Sequence, residues 1–103
     1  MDFIDIPGAS GAQYRYRRAS LEELPVTAGN LVAVVGAPPR RRFLLCAAAR
    51  SLHRARPEVE AVLRENRGAR LFVRLNVARA AREAEHADIV AAVAPDADLP
   101  DLG

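Results

Sequence analysis

Two apolar runs lie close together in the chain, Leu31 to Val35 and Phe43 to Cys46, separated by Gly36, Ala37, Pro38 and Pro39 and by Arg40 to Arg42, which lead into the second run. A continuous apolar run this short, rich in β-formers, reads as a strand covered on both faces rather than as an alternating half-buried one. Glycine and proline break the run. The pair therefore predicts a β-hairpin with a loop of about five residues, and the rest of the chain has to supply its cover.

That cover is patterned on both sides of the hairpin. Residues 14–18, YRYRR, alternate aromatic and arginine, with Tyr14 and Tyr16 on one face and Arg15 and Arg17 on the other. Ser20 caps a single turn, with Glu23 as its box partner, and Pro25 ends it. Residues 69–77 alternate cleanly: Leu71, Val73, Leu75 and Val77 face one way, Arg70, Phe72, Arg74 and Asn76 the other. Ala47 to Arg56 reads as a short helix, with Ala48, Leu52 and Ala55 on one face and Arg50 and Arg54 on the other. Pro57 suits the first position of a second helix, with Val59, Val62 and Leu63 inward and Gly68 at its end. A long alanine-rich helix over 78–94 is supported by Arg79 and Glu83 at i,i+4 spacing and stopped by Pro95. The order predicts an α+β domain over residues 13–95. Its core is a small antiparallel sheet of three to four strands, holding residues 31–35, 43–47 and 70–76. Helices near 48–55, 57–66 and 78–93 flank that sheet. Residues 1–12 read as a flexible arm that Phe3, Ile4 and Ile6 can pin, and residues 96–103 as a loose acidic tail.

At 103 residues the chain is one small domain. Its single cysteine, Cys46, excludes an intrachain disulfide and a four-cysteine zinc site. In mid-strand it reads as a small buried hydrophobe. The opening residues show no signal peptide and no stretch is apolar enough to span a bilayer, so a cytoplasmic location without membrane contact is the expectation. The net charge of +2 hides a strong segregation: −2 over residues 1–14, +10 over 15–82 and −6 over 83–103. All fifteen basic residues are arginine. Guanidinium forks match phosphate and carboxylate better than ammonium does. The basic body can attract nucleic acid while the acidic ends mask it. On that reading, deleting residues 96–103 strengthens DNA binding and leaves the melting temperature unchanged.

The element order over residues 27–98 resembles the GIY-YIG nuclease superfamily in a degenerate form. Gly29-Asn30-Leu31 stands where the first motif of that family falls, and Leu45-Cys46-Ala47 where the second does, ahead of Leu52 and Arg54. The AEHADIVAAVAP helix stands where the family's metal-binding glutamate lies, with Glu85 or His86 at the metal position. Pro95-Asp96-Ala97-Asp98 stands for the ending. The resemblance implies a metal-dependent attack of water on phosphate assisted by tyrosine. Leu31 and Leu45 carry no hydroxyl for that role, so a catalytically inactive domain without catalytic residues or cofactor is expected. Glu85 and His86 are adjacent on a helix and point about 100° apart, so they do not converge on one ion.

The candidate nucleic-acid-binding residues are Arg40, Arg41 and Arg42, the densest charge run, together with Arg50, Arg54 and Arg56. Arg50 and Arg54 lie where the resemblance places a phosphate-facing base. Each is equally readable as a solvated or carboxylate-paired arginine. Tyr14 and Tyr16 suit either base stacking or ordinary packing with a wet edge. Three functions fit: a non-catalytic GIY-YIG-like domain binding DNA or RNA through an arginine face, a protein-interaction or assembly module reaching a partner through its acidic arms, and a divergent metal-dependent nuclease.

Overall fold

In a computed structural model, residues 2–102 are described; Met1 and Gly103, the outer ends of the expected arm and tail, lie outside the described residues. Six strands form one mixed sheet: β1 (Phe3–Pro7), β2 (Gln13–Ala19), β3 (Gly29–Val35), β4 (Arg42–Ala49), β5 (Arg70–Leu75) and β6 (Ala97–Leu102). Their order is β1-β2-β5-β3-β4-β6. All neighbours run antiparallel except β4 and β6. The domain is α+β as expected, but the sheet has six strands and is not purely antiparallel.

Two helices cover the sheet, one on each face. Helix α1 (Arg56–Glu65) packs through Val59 onto Leu31, Ala33, Leu45, Ala47, Leu71 and Val73. Helix α2 (Arg79–Val93) packs through Ile89 onto Ile4, Ile6, Tyr16, Val32, Val34 and Phe72. This double cover is why β3 is apolar from Leu31 to Val35 and β4 from Phe43 to Ala49. A bulge between β3 and β4 at Ala33/Val34 lets Phe43 face α2 while Leu45 faces α1. Gly29 is required by close approach: a Cβ there would run into the carbonyl oxygen of Arg74 on β5.

Three expectations are corrected. The segment 47–56 is not a helix. Ala47, Ala48 and Ala49 finish β4, and only a 3₁₀ turn over Leu52–Ala55 follows. Alanine favours helix intrinsically, but here three small side chains sit between two neighbouring strands and under a helix on each face, and tertiary packing overrides propensity. Nor is residues 1–12 a flexible arm. Ile4 and Ile6 are buried as β1 pairs with β2. The turn after β1 is clasped to α2, where Asp88 accepts from the Ser10 amide (2.8 Å), the Ser10 hydroxyl (2.7 Å) and the Tyr14 hydroxyl (2.8 Å). These donors, Ser10 first, hold the Asp88 carboxyl below its ordinary value. The clasp is complete above the ordinary carboxylate range and is lost as pH falls through that lowered value.

The acidic tail is the third correction. Residues 97–102 form the edge strand β6, pairing Leu45 with Ala97, Cys46 with Asp98 and Ala47 with Leu99. Leu99 and Leu102 add to the α1-side core. Pro100 and the two aspartates of β6 leave its outer edge poorly suited to a further strand. No helix of the described residues is long and apolar enough to cross a membrane.

Candidate nucleic-acid interface and a buried polar seam

The six candidate arginines do not form one face. Arg40 and Arg41 precede β4 and Arg42 opens it, at the hairpin end of the sheet; Arg50, Arg54 and Arg56 follow its other end. Eight residues of β4 separate the groups by about 25 Å at the usual rise. At the hairpin end, Arg42 is bound to Asp96, its Nε 3.1 Å from Oδ2, and this pairing lowers the Asp96 pKa. Arg41 is half-buried, with its guanidinium pKa lowered first by burial and then by the neighbouring Arg70. Arg70 in turn donates to the Gly36 carbonyl. At the opposite end Arg50 and Arg54 are exposed and Arg56 half-exposed.

The acidic ends, expected to be free arms, are strands of the sheet, and their aspartates other than exposed Asp2 face basic partners. Asp5 pairs with Arg15 at 3.1 Å, Asp96 with Arg42, Asp98 faces His86 at 3.3 Å, and Asp101 pairs with Arg79 at 3.2 Å. Masking by mobile tails and partner capture by acidic arms both lose their basis.

A second arrangement was not singled out as a unit from the sequence. Helix α2 buries Arg82, Glu85, His86 and Ile89, a run at i, i+3, i+4 and i+7 that faces the sheet. Three of those four residues are polar. Glu85, 5% exposed, accepts the Tyr16 hydroxyl at 2.7 Å on one carboxylate oxygen. Its other oxygen accepts Arg74 Nε at 3.0 Å and Asn76 Nδ2 at 3.4 Å. Asn76 also donates to Asn30 at 3.2 Å, and Asn30 donates to the Arg82 carbonyl at 3.0 Å. The seam thus ties α2 to β2, β3 and the end of β5. Burial foremost, then the Glu85 charge, pushes the Tyr16 phenol far above its ordinary pKa. Tyr14 and Tyr16 face α2 while Arg15 and Arg17 are exposed, as the alternation predicts. Their hydroxyls are bound to Asp88 and Glu85, and the buried Tyr16 offers no stacking face.

The positions carried over from the resemblance are not brought together. Leu31 and Leu45, 1% and 2% exposed, lie in the core beneath α1. Glu85 and His86 lie beneath α2 on the other face of the sheet. The Glu85 carboxylate is saturated by protein donors. His86 Nε2 meets Asp98, while its Nδ1 is buried without a partner. Among the described residues no three His, Cys, Asp or Glu side chains are grouped to hold a metal.

Cys46 is buried on the α2 side of β4, as its place in an apolar run predicts. Burial, reinforced by Asp98, pushes its thiol up to about 12. At pH 8 the native thiol is expected not to react with a disulfide reagent such as DTNB within an hour, and to react stoichiometrically in denaturing urea. Rapid reaction of the native protein would show β4 open at this point. Comparisons with protein-family models, with curated proteins and with solved structures return no match.

Proposed function

We propose that the chain is a non-catalytic, GIY-YIG-like domain that binds nucleic acid, DNA or RNA, through the arginines at the Arg50 end of the sheet. One observation carries the reading. Arg50, Arg54 and Arg56 fall within seven residues of one another, and among the described residues none has a carboxylate partner; at the hairpin end Arg40 and Arg41 also lack one, but Arg42 is paired with Asp96 and Arg41 is half-buried. Unpaired guanidinium groups on a turn are free to meet phosphate oxygens. Arg54 and Arg56 also line an open groove of about 570 Å³ with His53 and Leu102. The absence of catalysis follows from Leu31 and Leu45, buried on the face away from Glu85.

The test is fluorescence anisotropy of labelled single-stranded and duplex oligonucleotides across a salt series. Each phosphate contact contributes roughly 0.7–0.9 to the logarithmic salt slope. Arg54→Glu/Arg56→Glu is expected to weaken binding by at least about tenfold and to flatten that slope by about 1.4–1.8. Arg40→Ala/Arg41→Ala, at the far end, is expected to change affinity by less than about twofold. Equal affinity of the Arg54→Glu/Arg56→Glu protein, or a slope near zero, overturns the reading.

An assembly role is the second reading, and a different observation favours it. Val26, Leu75 and Val77 are exposed at this same end, Val77 by 79%. A protein partner seated on them would bind with little salt dependence, which separates it from phosphate recognition in the same titration.

A further inference from the structure

Helix α2 begins against the usual rules. Its N-cap is Ala78, which offers no side-chain acceptor, and its first turn holds no acidic residue. The first backbone bond within the helix runs from the Arg82 amide to the Ala78 carbonyl at 2.9 Å. The amides of Arg79, Ala80 and Ala81 precede it and lack an intrahelical acceptor. In place of the carboxylates that favour a helix N-terminus, the first turn carries Arg79 and Arg82, whose charges oppose the helix dipole.

Arg82 supplies the independent observation. It is 4% exposed, and its Nη1 is spent on the carbonyls of Asn76 (3.3 Å) and Val77 (2.9 Å). Its Nε is buried and has no partner. A buried guanidinium with an unanswered N–H is costly unless an acceptor arrives. Arg82 lines a cavity of about 640 Å³ together with Arg50, Arg79 and Val77. Asp101 is the single carboxylate among the residues lining it; it pairs with Arg79, which Glu83 also engages from outside the lining at 2.9 Å, so Arg50 and Arg82 are the guanidinium groups there without a carboxylate. Three guanidinium groups thus meet two carboxylates, both held by Arg79, at an uncapped helix start, which leaves a net positive charge on the cavity.

We infer that this cavity is a phosphate-binding site, with Arg82 as its buried floor, Arg50 and Arg79 as its walls and the first amides of α2 as donors. A tetrahedral oxyanion answers the free helix amides and the excess positive charge together. The cavity has room beside the phosphate for part of the molecule that carries it, and exposed Val77 gives that part an apolar contact. The site shares Arg50 with the nucleic-acid reading but does not rest on it. The phosphate belongs either to a nucleic-acid backbone or to a small phosphate monoester.

The test is an amide-resolved NMR titration of the whole chain with inorganic phosphate, at ionic strength held constant with chloride. Saturable shifts are expected at the amides of Arg79, Ala80 and Ala81 and at the Arg82 Nε–H. Arg50→Ala and Arg79→Ala are each expected to weaken binding by at least about threefold. Arg54→Ala, outside the cavity, is expected to leave it unchanged. Both test variants replace exposed side chains, so the result does not depend on altering buried Arg82. Competition by an oligonucleotide without a terminal phosphate identifies a backbone phosphate as the occupant; competition by phenyl phosphate alone identifies a monoester. Phosphate bound here with no oligonucleotide bound anywhere supports the site and removes the nucleic-acid reading. Shifts no larger than those from chloride, or shifts that persist in Arg50→Ala/Arg79→Ala, overturn the inference.

Discussion

A chain ending at Pro95 is expected to melt far below the full protein, or not to fold at 37 °C. Removing residues 96–103 strips β6 from β4 and bares the edge of a central strand. Leu99 and Leu102, half-buried against the α1-side core, each contribute about 1 kcal/mol, less than the value for full burial. The lost ladder hydrogen bonds contribute about 0.5–1.5 kcal/mol apiece. Loss of Asp98 leaves buried His86 facing nothing at Nε2. The total is about 3–5 kcal/mol, against a stability of about 5–15 kcal/mol for a domain of this size. At about 4–8 °C per kcal/mol, the melting temperature falls by roughly 12–40 °C. Thermal unfolding followed by circular dichroism checks this. A truncated chain that melts within about 3 °C of the full one would show that β6 carries no weight in the fold. The outcome also decides between a strand and a mobile mask, because a mask can be removed without thermal cost.

The strands that repeat a clear pattern were legible. The hairpin of β3 and β4 follows from two apolar runs around Gly36 and two prolines. The alternation over 69–77 places Leu71 and Val73 under α1, and Phe72 and Arg74 toward α2. The two edge strands were not legible, for a physical reason. FIDIP and ADLPDL are short, carry aspartate and proline, and owe their conformation to a neighbour's backbone rather than to their own propensity. The Ala47–Ala49 run misled in the opposite sense. Its small side chains suit a helix, yet they also suit a strand pressed between two helices, and only the assembled sheet decides which.

The polar seam was hidden by the habit of assigning charged residues to the wet face of a helix. Arg82, Glu85, His86 and Ile89 have the spacing of a core stripe, but only Ile89 has its chemistry. Asking where the partners of Glu85 lie would have pointed to the right elements. Tyr16, Arg74 and Asn76 are each the polar member of a strand face that alternation already turns toward one helix. The arginine candidates failed in the other direction, since adjacency along the chain said nothing of Arg42 and Arg50 standing at opposite ends of one strand.

Replacing Glu85 is expected to be the most damaging single change in that seam. Glu85→Ala removes the acceptor of the Tyr16 hydroxyl, of Arg74 and of Asn76 at once. Arg74 is 41% exposed and can turn to water, but Tyr16 is buried and its hydroxyl cannot. An unsatisfied buried donor, a vacated volume beneath α2 and a broken charge pair together cost about 2–4 kcal/mol. Tyr16→Phe leaves Glu85 with its other two donors and is expected to cost only about 1 kcal/mol. The double variant Tyr16→Phe/Glu85→Ala is then expected to be less damaged than the two single losses added, because no buried hydroxyl is left unanswered. Urea unfolding with an unchanged slope reads all three values. The seam also contributes to the loss of stability at alkaline pH, in the same sense as the raised Cys46 thiol and Tyr14 phenol. Below pH 10, the ordinary tyrosine value, the Tyr16 phenol is neutral in folded and unfolded chains alike, and its contribution is fully present. Above it the unfolded chain ionises while folded Tyr16 holds its proton, so stability falls with each further unit. Tyr16→Phe is expected to flatten that alkaline loss. A Glu85→Ala protein within about 0.5 kcal/mol of the parent, or an alkaline limb unchanged in Tyr16→Phe, would mean that α2 is held by Ile89 and its apolar neighbours alone.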